Sequence, residues 1–92
     1  MSSGTYLHIY INPKADVAID KVETQMNLAV DWFRYASDSY VVYTTSDIEK
    51  WMGRLKPLVE PGGRLLIFEI KVNSRNGWMT KDFWDWLKKP RN

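Results

Sequence analysis

The sequence predicts an α+β fold in which an antiparallel sheet carries two main helices on one face, with a short C-terminal helix following. Three observations lead there. Extended patterns, either alternating or rich in β-branched and aromatic residues, occupy Thr5 to Ile11, Tyr40 to Thr45 and Arg64 to Val72, while apolar residues at steps of three and four fill the stretches between. Ser46-Asp47-Ile48-Glu49 has the form of a capping box, which marks a helix start at a defined point. With 92 residues, 45% of them hydrophobic and 26% charged, the chain has material for one core and none for a second. Helices alternating with sheet strands in so short a chain are the pattern of a ferredoxin-like sandwich, with residues 1–92 as a single domain.

In the first strand Leu7, Ile9 and Ile11 point one way and Tyr6, His8 and Tyr10 the other. Asn12-Pro13 breaks the ladder, since proline lacks the amide donor. Ile19, Val22, Met26, Ala29, Val30 and Phe33 then form one apolar stripe, which predicts a helix from about Ala15 to Trp32 with Asp20, Lys21, Glu23, Gln25 and Asn27 on its wet side. Trp32-Phe33-Arg34-Tyr35 fits either the last turn of that helix or a short strand turned back by Ala36-Ser37-Asp38-Ser39. A short hairpin arm is the favoured reading, leading into the strand Tyr40 to Thr45.

The capped helix shows Ile48, Trp51, Met52 and Leu55 on one face, and Pro57 is expected to end it near Lys56. Pro61-Gly62-Gly63 is a turn. The strand Arg64 to Val72 is apolar on both faces, which predicts a central position in the sheet. Residues 73–92 form a Trp-rich C-terminal segment: a polar loop over 73–77, then a short helix capped by Thr80 and closed by Pro90. Residues 1–4 are expected to be disordered. No basic n-region opens the chain, and the longest apolar run, Leu65 to Phe68, is far below the ~20 residues of a membrane-spanning helix. A cytoplasmic protein with no membrane partner is therefore expected.

Several chemistries are excluded by composition. There is no cysteine and only one histidine, so thiol nucleophiles, disulfides and ordinary zinc sites are absent. His8 lies on the less apolar face of its strand, with no nucleophile at a telling spacing. Asp16 and Asp20 are the best carboxylate pair, and acidic residues early in a helix favour its positive end without any metal. Pro61-Gly62-Gly63-Arg64 precedes a strand instead of a helix, so it is no phosphate loop. No catalytic residue, metal, cofactor or small-molecule ligand is expected.

Charge is unevenly distributed. The formal net charge of +2 divides into −2 over residues 1–46 and +4 over residues 47–92. Arg54, Arg64, Lys71, Arg75, Lys88 and Lys89 are thus candidates for contacts with nucleic-acid phosphates, with tryptophans as stacking platforms. Trp32 and Trp51 belong with apolar helix stripes and are assigned to the core. Trp78, Trp84 and Trp86 are too many for a short tail to bury against itself. With Tyr6, His8 and Tyr10 they are candidates for a homodimer interface.

Taken in order, Trp32-Phe33-Arg34-Tyr35, Tyr40-Val41-Val42-Tyr43-Thr44-Thr45-Ser46, the capped helix to Leu55, Leu65-Leu66-Ile67-Phe68-Glu69-Ile70 and the Gly77-Trp78-Met79…Phe83-Trp84-Asp85-Trp86-Leu87 ending resemble the SinR-like family of small bacterial and phage proteins. That family is related in fold to the CRISPR-associated Cas-two-type proteins and the VapD toxins. The resemblance covers most of the chain from about residue 30 and rests on hydrophobic pattern and the Trp-rich ending. It implies a dimerising ferredoxin-like fold and either metal-dependent nuclease activity or a non-catalytic role in holding nucleic acid. The relatives that cut use an aspartate at the end of the first strand, where two subunits pair to hold a metal. Here that position reads Tyr10-Ile11-Asn12-Pro13, and Asn12 offers a carbonyl oxygen without charge. The expectation is a dimeric scaffold or interaction module, with a metal-dependent endonuclease or ribonuclease as the alternative.

Overall fold

The computed structural model describes residues 4–72 and 75–90. Its elements run β1 (Thr5–Asn12), α1 (Ile19–Met26), β2 (Asp31–Ala36), β3 (Ser39–Thr44), α2 (Ile48–Val59), β4 (Arg64–Ile70) and α3 (Lys81–Lys88). The strands form one sheet in the order β2-β3-β1-β4, and every neighbouring pair is antiparallel. β1 and β2 are therefore parallel with β3 between them, and β3 and β4 are parallel with β1 between them. Two interleaved split βαβ units of this kind make the ferredoxin-like α+β sandwich that the sequence predicts.

The alternation in β1 separates two cores. Leu7, Ile9 and Ile11 face α1 and α2, joining Val22 and Met26, Tyr40 and Val42, and Trp51, Leu55 and Val59 in one cluster. Trp51 and Leu55 are fully buried there, as the stripe of α2 predicts. The Trp51 indole N–H donates to Thr44 Oγ1 at 3.0 Å, so the largest buried side chain brings no unpaired donor into the core.

α1 is shorter than the predicted Ala15–Trp32 helix. It begins at Ile19, with Ala18 as a cap that has no side-chain hydrogen bond, and stops at Met26. Beyond it the Leu28 and Ala29 amides turn back to Gln25 and Met26 oxygens, and the Val30 amide bonds the Tyr43 carbonyl. β-branched and aromatic residues gain a sheet ladder by leaving the helix, so Trp32-Phe33-Arg34-Tyr35 becomes β2, the favoured hairpin arm. Trp32 is only partly buried, packing its ring 5.8 Å from that of Tyr40.

Three further expectations are corrected. The N-cap of α2 is Asp47, whose Oδ1 accepts from the Lys50 amide at 2.8 Å, instead of Ser46. Ser46 is occupied elsewhere, its amide on Thr44 Oγ1 and its hydroxyl taking a bond from Arg54. α2 also runs through Pro57 to Val59. Proline removes one donor, but Gly53 four residues earlier is exposed and water can take its carbonyl, while Val59 gains burial in the core. Finally, β4 is an edge strand and not a central one. Its Leu65 and Ile67 pack toward the helices, and Leu66 and Phe68 on the opposite face are 49% and 53% exposed.

The Pro61-Gly62-Gly63 turn forms as predicted and needs each glycine for a different reason. Gly62 has φ +96, a left-handed conformation, whereas a Cβ on Gly63 would stand 2.5 Å from the Asn12 carbonyl oxygen. The expected disorder of residues 1–4 lies outside the described residues except at Gly4, whose amide donates to the Tyr43 hydroxyl.

Candidate functional site

α3 covers part of the sheet face opposite α1 and α2. Thr80 caps it, its Oγ1 accepting from the Phe83 amide, as the sequence predicts. Phe83, Trp86 and Leu87 lie at helical spacing and cluster with Val41, packing also on Tyr6, Phe33, Tyr35 and Ile70. Trp86 meets the Tyr6 ring edge-on at 6.1 Å, and Phe83 stands against both Phe33 and Tyr35. Of the six candidates for a dimer interface, Tyr6 and Trp86 thus cover one another within the chain. Trp84 is half-buried beside Phe83, and Trp78 is 99% exposed.

His8 and Tyr10 are half-buried on the same face. His8 Nε2 is hydrogen-bonded to the Tyr35 hydroxyl across β3, and burial pushes the imidazole below its ordinary pKa. It is therefore a neutral ring tied to β2, two strands away in the sheet. On β4, Phe68 and Leu66 pair with His8 and Tyr10 in register. These four side chains form the part of the face that α3 leaves open, and sequence reasoning missed two of them. Their parity along β4 was readable, but their exposure depends on β4 lying at the edge.

The basic candidates do not form one surface. Arg54 lies over the Trp51 ring at 4.7 Å on the helical layer and donates to Ser46. Arg64 is exposed at the start of β4, opposite Asn12, with the whole strand between it and Lys71. Lys71 and Arg75 come together, both lining an apolar cleft of ≈ 250 Å³ whose walls include Val41, Ile70, Phe83, Trp84 and Leu87. Lys88 follows Leu87 and is exposed, while Lys89 pairs with Asp31 at 3.8 Å. Among the described residues Lys71, Arg75 and Lys88 take part in no salt bridge. Arg91, also basic, lies outside the described residues.

At the end of β1, Asn12 Nδ2 donates to Asp38 Oδ2 at 3.3 Å. The β2–β3 turn thus brings a carboxylate to the position that lacks one in sequence. Among the described residues no group of three or more His, Cys, Asp or Glu side chains could hold a metal ion, and no helix is long and apolar enough to cross a membrane.

No family model and no solved structure matches the chain. A stretch of 33 residues, 36% of the chain, is 52% identical to part of the polyketide synthase-nonribosomal peptide synthetase ACE1 of Pyricularia oryzae. The match spans 1% of that protein's length, a local likeness that defines no shared fold or site.

Proposed function

We propose that the chain is a non-catalytic homodimeric module, of the kind its resemblance to SinR-like proteins implies, that works in the cytoplasm and contacts nucleic acid through Lys71, Arg75 and Lys88. The convergence of Lys71 and Arg75 on one cleft, with neither neutralised by a described carboxylate, carries this reading. Arg75 and the exposed Trp78 share one short segment, so a phosphate contact and a base-stacking platform lie within a nucleotide or two of each other.

The test is a salt titration of binding to single-stranded and duplex DNA and RNA. Each phosphate contact adds ~0.7–0.9 to the slope of log affinity against log salt, so Lys71→Ala and Arg75→Ala should each flatten it by about that amount. Trp78→Ala should weaken single-strand binding by about 1–3 kcal/mol with the slope unchanged. Binding that ignores salt, or no binding, would overturn the reading.

The Asn12–Asp38 pair favours a second reading, a metal-dependent nuclease with Asp38 supplying the carboxylate. Chelator-sensitive cleavage of RNA or DNA that Asp38→Asn abolishes would establish it in place of the first.

A further inference from the structure

The two edges of the sheet are built differently. The register of β2 with β3 shifts at a bulge between Arg34 and Ala36, and Arg34 puts a charge in the middle of the strand. Bulges and charges of this kind discourage another strand from adding. β4 has none of these protections in its middle. It pairs with β1 in unbroken register from Arg64 to Ile70, contains no proline, and holds five consecutive residues, Leu65 to Glu69, of which only the last is charged. Its sequence is that of a strand with neighbours on both sides, and among the described residues β1 alone is its neighbour.

We infer that β4 pairs antiparallel with β4 of a second copy of this chain, joining the two sheets edge to edge into one of eight strands. This rests on the homodimer in the proposed function and says how that dimer is made. A two-fold axis perpendicular to the sheet keeps each face with its own kind, so only registers that pair residues of like parity are allowed. One of them pairs all seven residues of the strand. Centred on Ile67, it sets Ile67 opposite Ile67 of the second copy, Leu66 opposite Phe68, Leu65 opposite Glu69 and Arg64 opposite Ile70. No charge then faces a like charge. Leu66 and Phe68 of each copy, half exposed in the single chain, cover each other across the axis.

Area argues against face-to-face stacking on the open patch alone. Four partly exposed side chains, Leu66, Phe68, Tyr10 and His8, offer on the order of 300–400 Å² of open surface per copy, whereas a stable interface takes roughly 800 Å² per partner. Strand addition supplies what the patch lacks, a row of main-chain hydrogen bonds along an edge that already presents its donors and acceptors.

The experiment measures solution mass by light scattering for the native chain and two double variants, with circular dichroism as the check on folding. Both substituted positions are about half exposed, so the fold should tolerate charge there. The native chain should be a dimer. L66K/F68K sets lysine opposite lysine in both symmetry-related pairs and should be a monomer. L66K/F68E sets lysine opposite glutamate and should return to a dimer. If both variants are monomers, the interface is not in this register, and the homodimer reading survives without it. If L66K/F68K stays dimeric, the contact lies elsewhere. A monomeric native chain would remove both the inference and the dimer on which it rests.

Discussion

At the scale of single residues the two sheet faces treat their polar groups differently. On the helical face Thr44 Oγ1 accepts from both the Trp51 indole and the Ser46 amide, so a 1% exposed hydroxyl ties β3 to the start of α2. On the other face the titrating group is His8, held by Tyr35 and depressed by burial. The consequence for stability has a definite sign. Above the ordinary value of 6.5 the imidazole is neutral whether the chain is folded or not. As pH falls below it, the unfolded chain takes up a proton that the folded chain resists, so stability drops until the lower folded pKa is passed and then levels off. No charged side chain in the described structure pairs with His8 to oppose this. The urea midpoint of the native chain should therefore fall between about pH 7.5 and about pH 5 by more than that of His8→Gln, which has no imidazole to titrate. Parallel pH profiles for the two proteins would show that His8 is not desolvated.

At the scale of elements the position of a cap separates what the sequence carries from what tertiary contacts decide. Ser46 and Asp47 are both good cap residues, and Ser46 is the better fit to the capping box. The Thr44 hydroxyl and Arg54 engage Ser46, which moves the helix start one residue on to Asp47. Asp47→Ala should accordingly cost about 1 kcal/mol in chemical denaturation, typical of a lost N-cap, and more than Ser46→Ala. The reverse order would restore Ser46 as the cap. The same distinction runs through the rest of the fold. β1, α2 and α3 were legible because their burial repeats with the period of their own backbone. α1 is shorter than its apolar stripe because Ala29, Val30 and Phe33 continue the helical spacing while Val30 and Phe33 are claimed by the sheet. Strand order is written in no local pattern, so the two apolar faces of β4 point to a central strand and do not disclose the open Leu66 and Phe68. The Asn12–Asp38 pair was hidden for a similar reason, since 26 residues separate its members.

At the scale of the whole molecule the sheet is a shared wall between two apolar layers. In β3, Tyr40 and Val42 belong to the helical core while Val41 belongs to the layer under α3, so adjacent residues of one strand anchor both clusters. β1 does the same with Leu7 and Tyr6. Neither layer can lose its wall without exposing the other, and small single domains with that property unfold in one transition. α3 is the element that would depart first if this coupling were weak, because it holds the sheet mainly through Phe83, Trp86 and Leu87, whereas the equally short α1 also packs on α2. The tryptophans provide the test. Trp32 and Trp51 pack in the helical layer and Trp84 and Trp86 of α3 in the other, so W32F/W51F and W84F/W86F each remove the buried probes from one layer and keep them in the other. Within each variant, tryptophan fluorescence and far-ultraviolet circular dichroism should give a single coincident urea midpoint. A fluorescence transition in W32F/W51F that precedes its circular dichroism transition would mean that α3 undocks from a sheet still intact. The face predicted to be a shared wall would then open on its own, and the exposed strip beside β4 would extend across the whole sheet.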